Sequence, residues 1–333
     1  MENIIKFGIL GCGMISDIHA KAIKSIENAR LVIAFDNNSE NAMRFAQRHG
    51  IKAAGTFEEL ADAVDAVCIC TPSGFHSENA KRALLCKKHV VLEKPMAFTC
   101  READRIIEAC EMSGRLLTVI SQLRFSEDVK RVKELVDQNA FGRLIFCDLY
   151  MKYYRNEEYY GNSSWRGTLK YDGGGALMNQ GIHGVDLLQY IMGEPNVLKG
   201  KVATLSHDIE AEDTAAALLE FSNGAMGVIE ASTCAYPGFE RRLEIMGDRG
   251  YVILQENSIV QLMLNGEKSV IGNKASGAGG AGDPSAISHE LHKKQIQNFV
   301  NAINGTEPLM IDAREGKKAI KIIESIYKYR LSR

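Results

Sequence analysis

No two cysteines in this sequence stand at Cys-x-x-Cys spacing, although there are eight of them, at 12, 68, 70, 86, 100, 110, 147 and 234. Most lie inside apolar runs, which suits reduced thiols packed as small core residues and argues against a disulfide framework or a zinc site. The histidines, His289 and His292 among them, lack neighbours at metal-ligand spacing, so no metal is expected. No apolar stretch approaches the roughly 20 residues of a membrane span. The opening MENIIKFGIL has no basic region leading into an apolar core and a cleavage site. Net charge is small as well: 40 basic against 42 acidic residues leave -2, which removes any overall electrostatic reason for a nucleic-acid or anionic-membrane partner. A cytoplasmic protein with a small polar ligand is the expectation.

What is present is a chain of 333 residues, 45% hydrophobic and 25% charged, enough for a sizeable core and long enough for two domains. In its first third, short apolar runs (Ile4 to Leu10, Leu31 to Phe35, Ala66 to Cys70, Val90 to Glu93, Leu116 to Ile120) read as buried strands. Amphipathic stretches separate them: Ile15 to Ile26, Ser39 to His49, Ser77 to Lys87 and Arg101 to Met112. Strand and helix in alternation mean a parallel sheet covered on both faces. After Arg124 the rhythm changes. A helix from Glu127 to Asn139 leads to alternating segments at 144–154, 198–206, 214–221, 225–233 and 241–246, which predict a mostly antiparallel sheet in an α+β second domain. The glycine-rich tract Ser276 to Asp283 reads as a loop, either connector or substrate lid, and two helices, 288–304 and 312–329, close the chain. The fold class is therefore α/β, with domains at 1–122 and 123–333.

The first strand ends in Gly11-Cys12-Gly13-Met14-Ile15-Ser16, with a helix following at once. Gly11 permits the tight turn, Gly13 lets the backbone approach a pyrophosphate, and the helix start at Met14 and Ile15 offers unpaired N–H groups to that charge. Ser16 replaces the usual third glycine or alanine and is still small. The second strand ends at Asp36, where a carboxylate can accept hydrogen bonds from an adenosine ribose. Its charge repels a 2′-phosphate and Asn37 supplies no cation, so NAD is favoured over NADP, with Arg44 the one nearby counter-argument.

Two further features carry chemistry. The strand Val90 to Glu93 runs into Lys94 and Pro95 at the ligand end of the sheet, with Pro95 fixing the turn and a candidate for a cis bond. From Leu177 to Met192 the sequence has helical periodicity, and Asn179, His183, Asp186 and Tyr190 project onto one polar stripe opposite Leu187, Leu188 and Ile191. Oxidising a secondary alcohol requires a proton acceptor within hydrogen-bond reach of the hydroxyl, and Lys94 and His183 are the candidates.

The set GCGMIS (11–16), TPSGFH (71–76), EKP (93–95), WRG (165–167) and GGGALMNQGIHGVDLL (173–188) resembles, in order and spacing, the Gfo/Idh/MocA oxidoreductase family. The resemblance implies an N-terminal Rossmann domain, a C-terminal domain on an open, mostly antiparallel sheet, and nicotinamide-dependent oxidation or reduction of a sugar, glycoside or polyol. It implies His183 as general acid/base and Lys94 as the group that polarises the reacting oxygen. Many members carry aspartate where this chain has Asn179, so Asn179 is assigned to substrate orientation, together with Asp186, Tyr154 and Arg124. Thr71, Pro72, His76, Glu93, Lys94 and Gln122 are assigned to the cofactor, Gln122 to its carboxamide, with Trp165 and Arg166 reaching it from the second domain. The Asn-x-Gly-x-His form also resembles members that oxidise nucleotide-linked N-acetylaminosugar acids, which keeps a UDP-sugar and a tightly held, recycled NAD open. A non-catalytic NAD-binding sensor is the rival of another class. The family implies homodimers or homotetramers assembled through the open sheet.

Overall fold

The computed structural model describes residues 3–269 and 288–329. The glycine-rich tract 276–283 lies outside the described residues. Two compact units are present: Met1–Gln122 with Ser288–Lys317, and Leu123–Ile287 with Lys318–Arg333. In this division residues 288–317 lie with the first unit, whereas the sequence reading placed them in the second domain.

The first unit runs β1 (Ile5–Leu10), α1 (Met14–Lys24), β2 (Ala29–Phe35), α2 (Ser39–His49), β3 (Lys52–Ala53), α3 (Phe57–Asp62), β4 (Ala66–Ile69), α4 (His76–Leu85), β5 (His89–Leu92), α5 (Cys100–Ser113) and β6 (Leu117–Val119). Its sheet has the order β3-β2-β1-β4-β5-β6 and every pairing is parallel. Local chemistry sets the helix starts. Asn38 caps α2 through Glu40 N–H, and at α5 Thr99 accepts Glu102 N–H while the Glu102 carboxylate accepts the N–H of Phe98, one residue before the cap. The sequence reading missed β3 and α3, although Thr56 caps α3 through Glu59 N–H and the Glu59 carboxylate accepts Gly55 N–H in the same way. Helix α9 (Glu290–Ile303) packs on α1, and its Ile296, Phe299 and Val300 join Phe7, Ile9, Ile23 and Val91 in one buried core. Burial of each of these three side chains stabilises the unit by roughly 1.5–3 kcal/mol.

The second unit contains α6 (Glu127–Asp137), β7 (Leu144–Lys152), α7 (Glu157–Gly161), a π-helical turn (Ala176–Gly181), α8 (Ile182–Met192), β8 (Asn196–Ala203), β9 (Thr214–Glu220), β10 (Met226–Ser232), β11 (Arg242–Gly247), β12 (Gly250–Gln255), β13 (Ser258–Leu264) and β14 (Glu267–Ser269). Helix α10 (Ala313–Tyr327) begins in the first unit and ends in this one. The sheet order is β14-β13-β12-β11-β7-β10-β9-β8, antiparallel except for the parallel pair β7–β10. Cys147, Leu149, Met151, Ile229, Leu243 and Ile245 are buried on the face where α8 packs on β7. On the opposite face Met263, Tyr251, Met246, Phe146 and Met226 stand opposite one another on successive strands. Phe146 is 40% and Met226 46% exposed in the single chain. Among the described residues no helix is long and apolar enough to cross a membrane.

Candidate active site

In the first unit β1 and β4 are neighbours although two strands separate them in sequence, so the chain reverses its winding between them, and the crevice at their C-terminal ends is where open α/β sheets bind ligands. Gly11 sits there at φ 92, and a Cβ on it would lie 2.7 Å from the backbone nitrogen of Thr71. Only glycine fits that turn. Gly13 is the opposite case: a Cβ on it would meet nothing within 4 Å. It is also the N-cap of α1 and no side chain caps the helix, which leaves first-turn N–H groups around Met14 and Ile15 to serve an anion. The Asp36 carboxylate is fixed by two backbone donors, Cys12 N–H to Oδ2 at 2.8 Å and Asn38 N–H to Oδ1 at 2.9 Å. Asn37 and Arg44 are exposed beyond it.

Gln122 is buried, and its Oε1 has no hydrogen-bond partner among the described residues. A buried bare acceptor costs free energy unless a ligand donates to it, and a nicotinamide carboxamide N–H does so. The open space over Gly13, the uncapped helix, the fixed Asp36 and this orphaned oxygen together fit NAD. Thr71 Oγ1 accepts from Asn79 at 3.2 Å, and half-buried Lys94 precedes Pro95 across a cis peptide bond.

Two residues assigned to the cofactor are occupied elsewhere. His76 is 1% exposed, with Nδ1 at 2.7 Å from Pro95 O and Nε2 at 2.8 Å from Thr71 O. It sits between the 71–76 loop and the turn after Lys94 with a backbone carbonyl facing each ring nitrogen, and its one N–H ties it to one of them. Glu93 is also buried, receiving His19 Nε2 at 2.8 Å on Oε1 and the Lys94 N–H at 3.1 Å on Oε2.

In the second unit the polar stripe divides. A π turn widens the helix from Ala176 to Gly181, with Gln180 N–H bonded five residues back to Gly175 O, so the 100° projection does not carry across it. Beyond the turn, Asp186 receives Arg124 and Tyr190 lies under the same guanidinium, 4.7 Å from ring centroid to Cζ. Arg124 and Asp186 are 1% and 4% exposed. Their assignment to substrate is thus corrected: each is the other's partner, since two buried opposite charges satisfy one another. Asn179 instead donates to Asp172 Oδ1 at 2.5 Å, and Gln180 donates to Asn179 Oδ1 at 3.3 Å. His183 is half-buried in the first turn of α8. Around the π turn, Gln180 accepts from Arg155 at 2.8 Å and donates to Tyr159 OH at 2.9 Å, while Arg166 stacks over Tyr159 at 4.3 Å and lies 5.7 Å from the Trp165 ring. Tyr154 is exposed and meets Tyr236 edge-on.

Residues 5–121 match the oxidoreductase family with an NAD-binding Rossmann fold, and residues 129–253 match the GFO/IDH/MocA C-terminal domain. The chain is 31% identical over 261 residues to an oxidoreductase of Formosa agariphila, covering 76% of this chain and 79% of that one. It is 26% identical to the myo-inositol 2-dehydrogenase of Thermotoga maritima, over 95% and 93% of the two chains. Among solved structures, the WlbA dehydrogenase from Bordetella pertussis, crystallised with NADH and UDP-GlcNAcA, superimposes with a TM-score of 0.86 at 31% identity over 98% of this chain and 96% of its own. The chain belongs to the GFO/IDH/MocA oxidoreductase family.

Within this GFO/IDH/MocA chain, several functional neighbours escaped the sequence reading. Glu212 is 1% exposed and accepts Gly175 N–H at 3.1 Å, Leu177 N–H at 2.9 Å and the Tyr327 hydroxyl at 2.7 Å. It anchors the start of the π turn that carries Asn179. The signal was Gly174-Gly175: a Cβ on either would come within 2.1 Å of Tyr327 OH or Glu212 O. Asp172 had no local signal, since its partners Gly167 N–H and Asn179 come from both sides of it in the chain.

Proposed function

We propose that this protein is an NAD-dependent dehydrogenase that moves hydride between the nicotinamide ring and a secondary alcohol carbon of a sugar or polyol. The observation that carries the reading is the first unit's cradle, in which Gly13 leaves open space at an uncapped helix start while Asp36 is held by backbone N–H groups. When bound, NAD supplies the hydride acceptor. The chain's part is to hold the alcohol and move its proton. In this reading His183 takes the hydroxyl proton and Lys94 donates a hydrogen bond to the oxygen as carbonyl character develops. Asn179, unable to accept a proton itself, has its amide oriented by Asp172 and directs a substrate hydroxyl. Trp165, Arg166 and Tyr154 are held as candidates for ligand contact.

A finer reading is that the substrate is a nucleotide-linked sugar acid, with NAD retained between turnovers. The likeness to WlbA supports it, as does the pair Arg155 and Arg166 around Tyr159, which offers cations for an anionic substrate. The apolar row across the open sheet face supports a homodimer or homotetramer formed through that face. The deciding experiment follows NADH absorbance across free sugars, inositols, glycosides and UDP-sugar acids, with purified protein first inspected for bound nicotinamide. Turnover of UDP-sugar acids alone selects the finer reading. Turnover of free polyols selects the coarser one, and tight NAD binding with silence across the panel would leave only the sensor.

A further inference from the structure

The π turn that carries Asn179 does not close its own start. Gly175, which precedes it, has no side chain to offer, so the first N–H groups of the segment need an acceptor from elsewhere. Glu212, just ahead of β9, takes three of them in succession: Gly175 N–H on Oε2 at 3.1 Å, Ala176 N–H on its main-chain carbonyl at 2.9 Å and Leu177 N–H on Oε1 at 2.9 Å. Gly175 then passes the constraint on, because its own carbonyl accepts Asn179 N–H at 3.2 Å and Gln180 N–H at 3.1 Å. A single residue therefore stands between the Glu212 carboxylate and the backbone of both. The Asn179 amide is fixed separately, by Asp172, whose other oxygen takes Gly167 N–H at 2.9 Å. Glu212 is itself held from the last helix: Tyr327 of α10 donates its hydroxyl to Oε1 at 2.7 Å.

We infer that Glu212, backed by Tyr327, is a positioning residue of the substrate site: it sets the Gly175 geometry from which Asn179 is presented and from which the chain continues into α8 and His183. This rests on the roles given to Asn179 and His183 above. Its chemistry suits the task. A carboxylate with two acceptor oxygens can take two N–H groups and a hydroxyl at once, which no neutral side chain does. Its negative charge also lies at the start of a helical segment, the end that the peptide dipoles make positive. Leaving such a buried acceptor without donors is costly, so the arrangement is held from both sides: Glu212 needs the amides as much as the amides need Glu212. The aligned glycine follows from the same geometry, since a Cβ on Gly175 would lie 2.1 Å from Glu212 O.

Amide exchange and kinetics on the full-length protein test this together. Glu212→Gln keeps an acceptor for Leu177 and Tyr327 but sets a second donor against the Gly175 N–H. Hydrogen–deuterium exchange of the 173–181 peptide should therefore speed up by roughly tenfold or more. With the sugar or polyol found in the NADH screen, kcat/KM should fall by roughly tenfold or more, because a misplacement of about 1 Å is enough for such a loss, while the Kd for NAD, which the first unit sets, stays as in the parent. Tyr327→Phe, which leaves the amide bonds in place, should move exchange and kcat/KM the same way to a smaller degree. Parent-like exchange in Glu212→Gln overturns the inference. So does faster exchange with kcat/KM within about threefold of the parent, since the residue then supports the fold alone, and so does an equal loss of NAD affinity, since the damage is then general. If Glu212→Gln fails to fold, Tyr327→Phe decides by the same readings. Faster exchange in a protein that turns over no sugar keeps the anchor and removes the dehydrogenase reading.

Discussion

Asp186 receives Arg124 at two points, Nε to Oδ2 at 2.9 Å and Nη2 to Oδ1 at 2.6 Å, with both side chains inside the second unit. Breaking a buried pair strands the remaining charge. Arg124→Met should lower stability by about 3–5 kcal/mol, and adding Asp186→Leu should recover most of the loss. Urea unfolding checks this. A raised substrate KM at unchanged stability in Arg124→Met would return the residue to the substrate.

The two glycines of the dinucleotide turn should fail differently. Gly11→Ala forces a Cβ into Thr71 N at positive φ, so it should destabilise the free protein. Gly13→Ala meets nothing in the free protein and should leave its melting temperature unchanged, while weakening NAD binding roughly tenfold or more by occupying the approach of the pyrophosphate. Calorimetry with and without NAD separates the two.

Asp36 sets cofactor choice by charge. Asp36→Ser combined with Asn37→Arg should raise the ratio of kcat/KM for NADP over NAD by roughly tenfold or more, since the repelling carboxylate is replaced by a cation beside the 2′-position. Steady-state kinetics with each cofactor decides it; an unchanged ratio removes Asp36 from the ribose.

Acid should weaken the first unit through His292. Burial takes this imidazole down to about 4, so between about 4 and its ordinary value near 6.5 the unfolded chain holds more protons than the folded one. Stability therefore rises with pH across that window, and acidification through it should cost about 3 kcal/mol from this group, with His76 adding in the same direction. Urea midpoints over a pH series should show the slope, and His292→Gln should flatten it.

The open sheet face gives a test of assembly. Phe146→Glu with Met226→Glu, two neighbours on that face, should shift the protein to a smaller species in size-exclusion chromatography. Elution identical to the parent would place the subunit contact elsewhere.

The sequence showed the architecture well because its signals are local. Strands such as Ala66 to Ile69 are buried throughout and read as apolar runs, and helix starts such as Ser39 carry their own caps. The cofactor turn was legible for the same reason. What failed depended on distance. His76 looked like a ligand contact because its two carbonyl partners, Thr71 and Pro95, become visible only when the loops meet. Arg124 and Asp186 are 62 positions apart, so neither announced the other. The stripe leading into α8 failed for a subtler reason: a single π turn breaks the periodicity on which a projection depends, separating Asn179 from Asp186 and Tyr190.

The return of residues 288–317 to the first unit bears on how the protein is made. The ribosome finishes β1 to β6 early, yet Ile296, Phe299 and Val300, which complete their core, emerge only after the whole second sheet has been synthesised. Until then the cofactor half is a nascent layer with bare apolar surface, open to chaperones and proteases. A premature stop codon anywhere before residue 288 should therefore leave the first unit's core without Ile296, Phe299 and Val300, although β1 to β6 are complete.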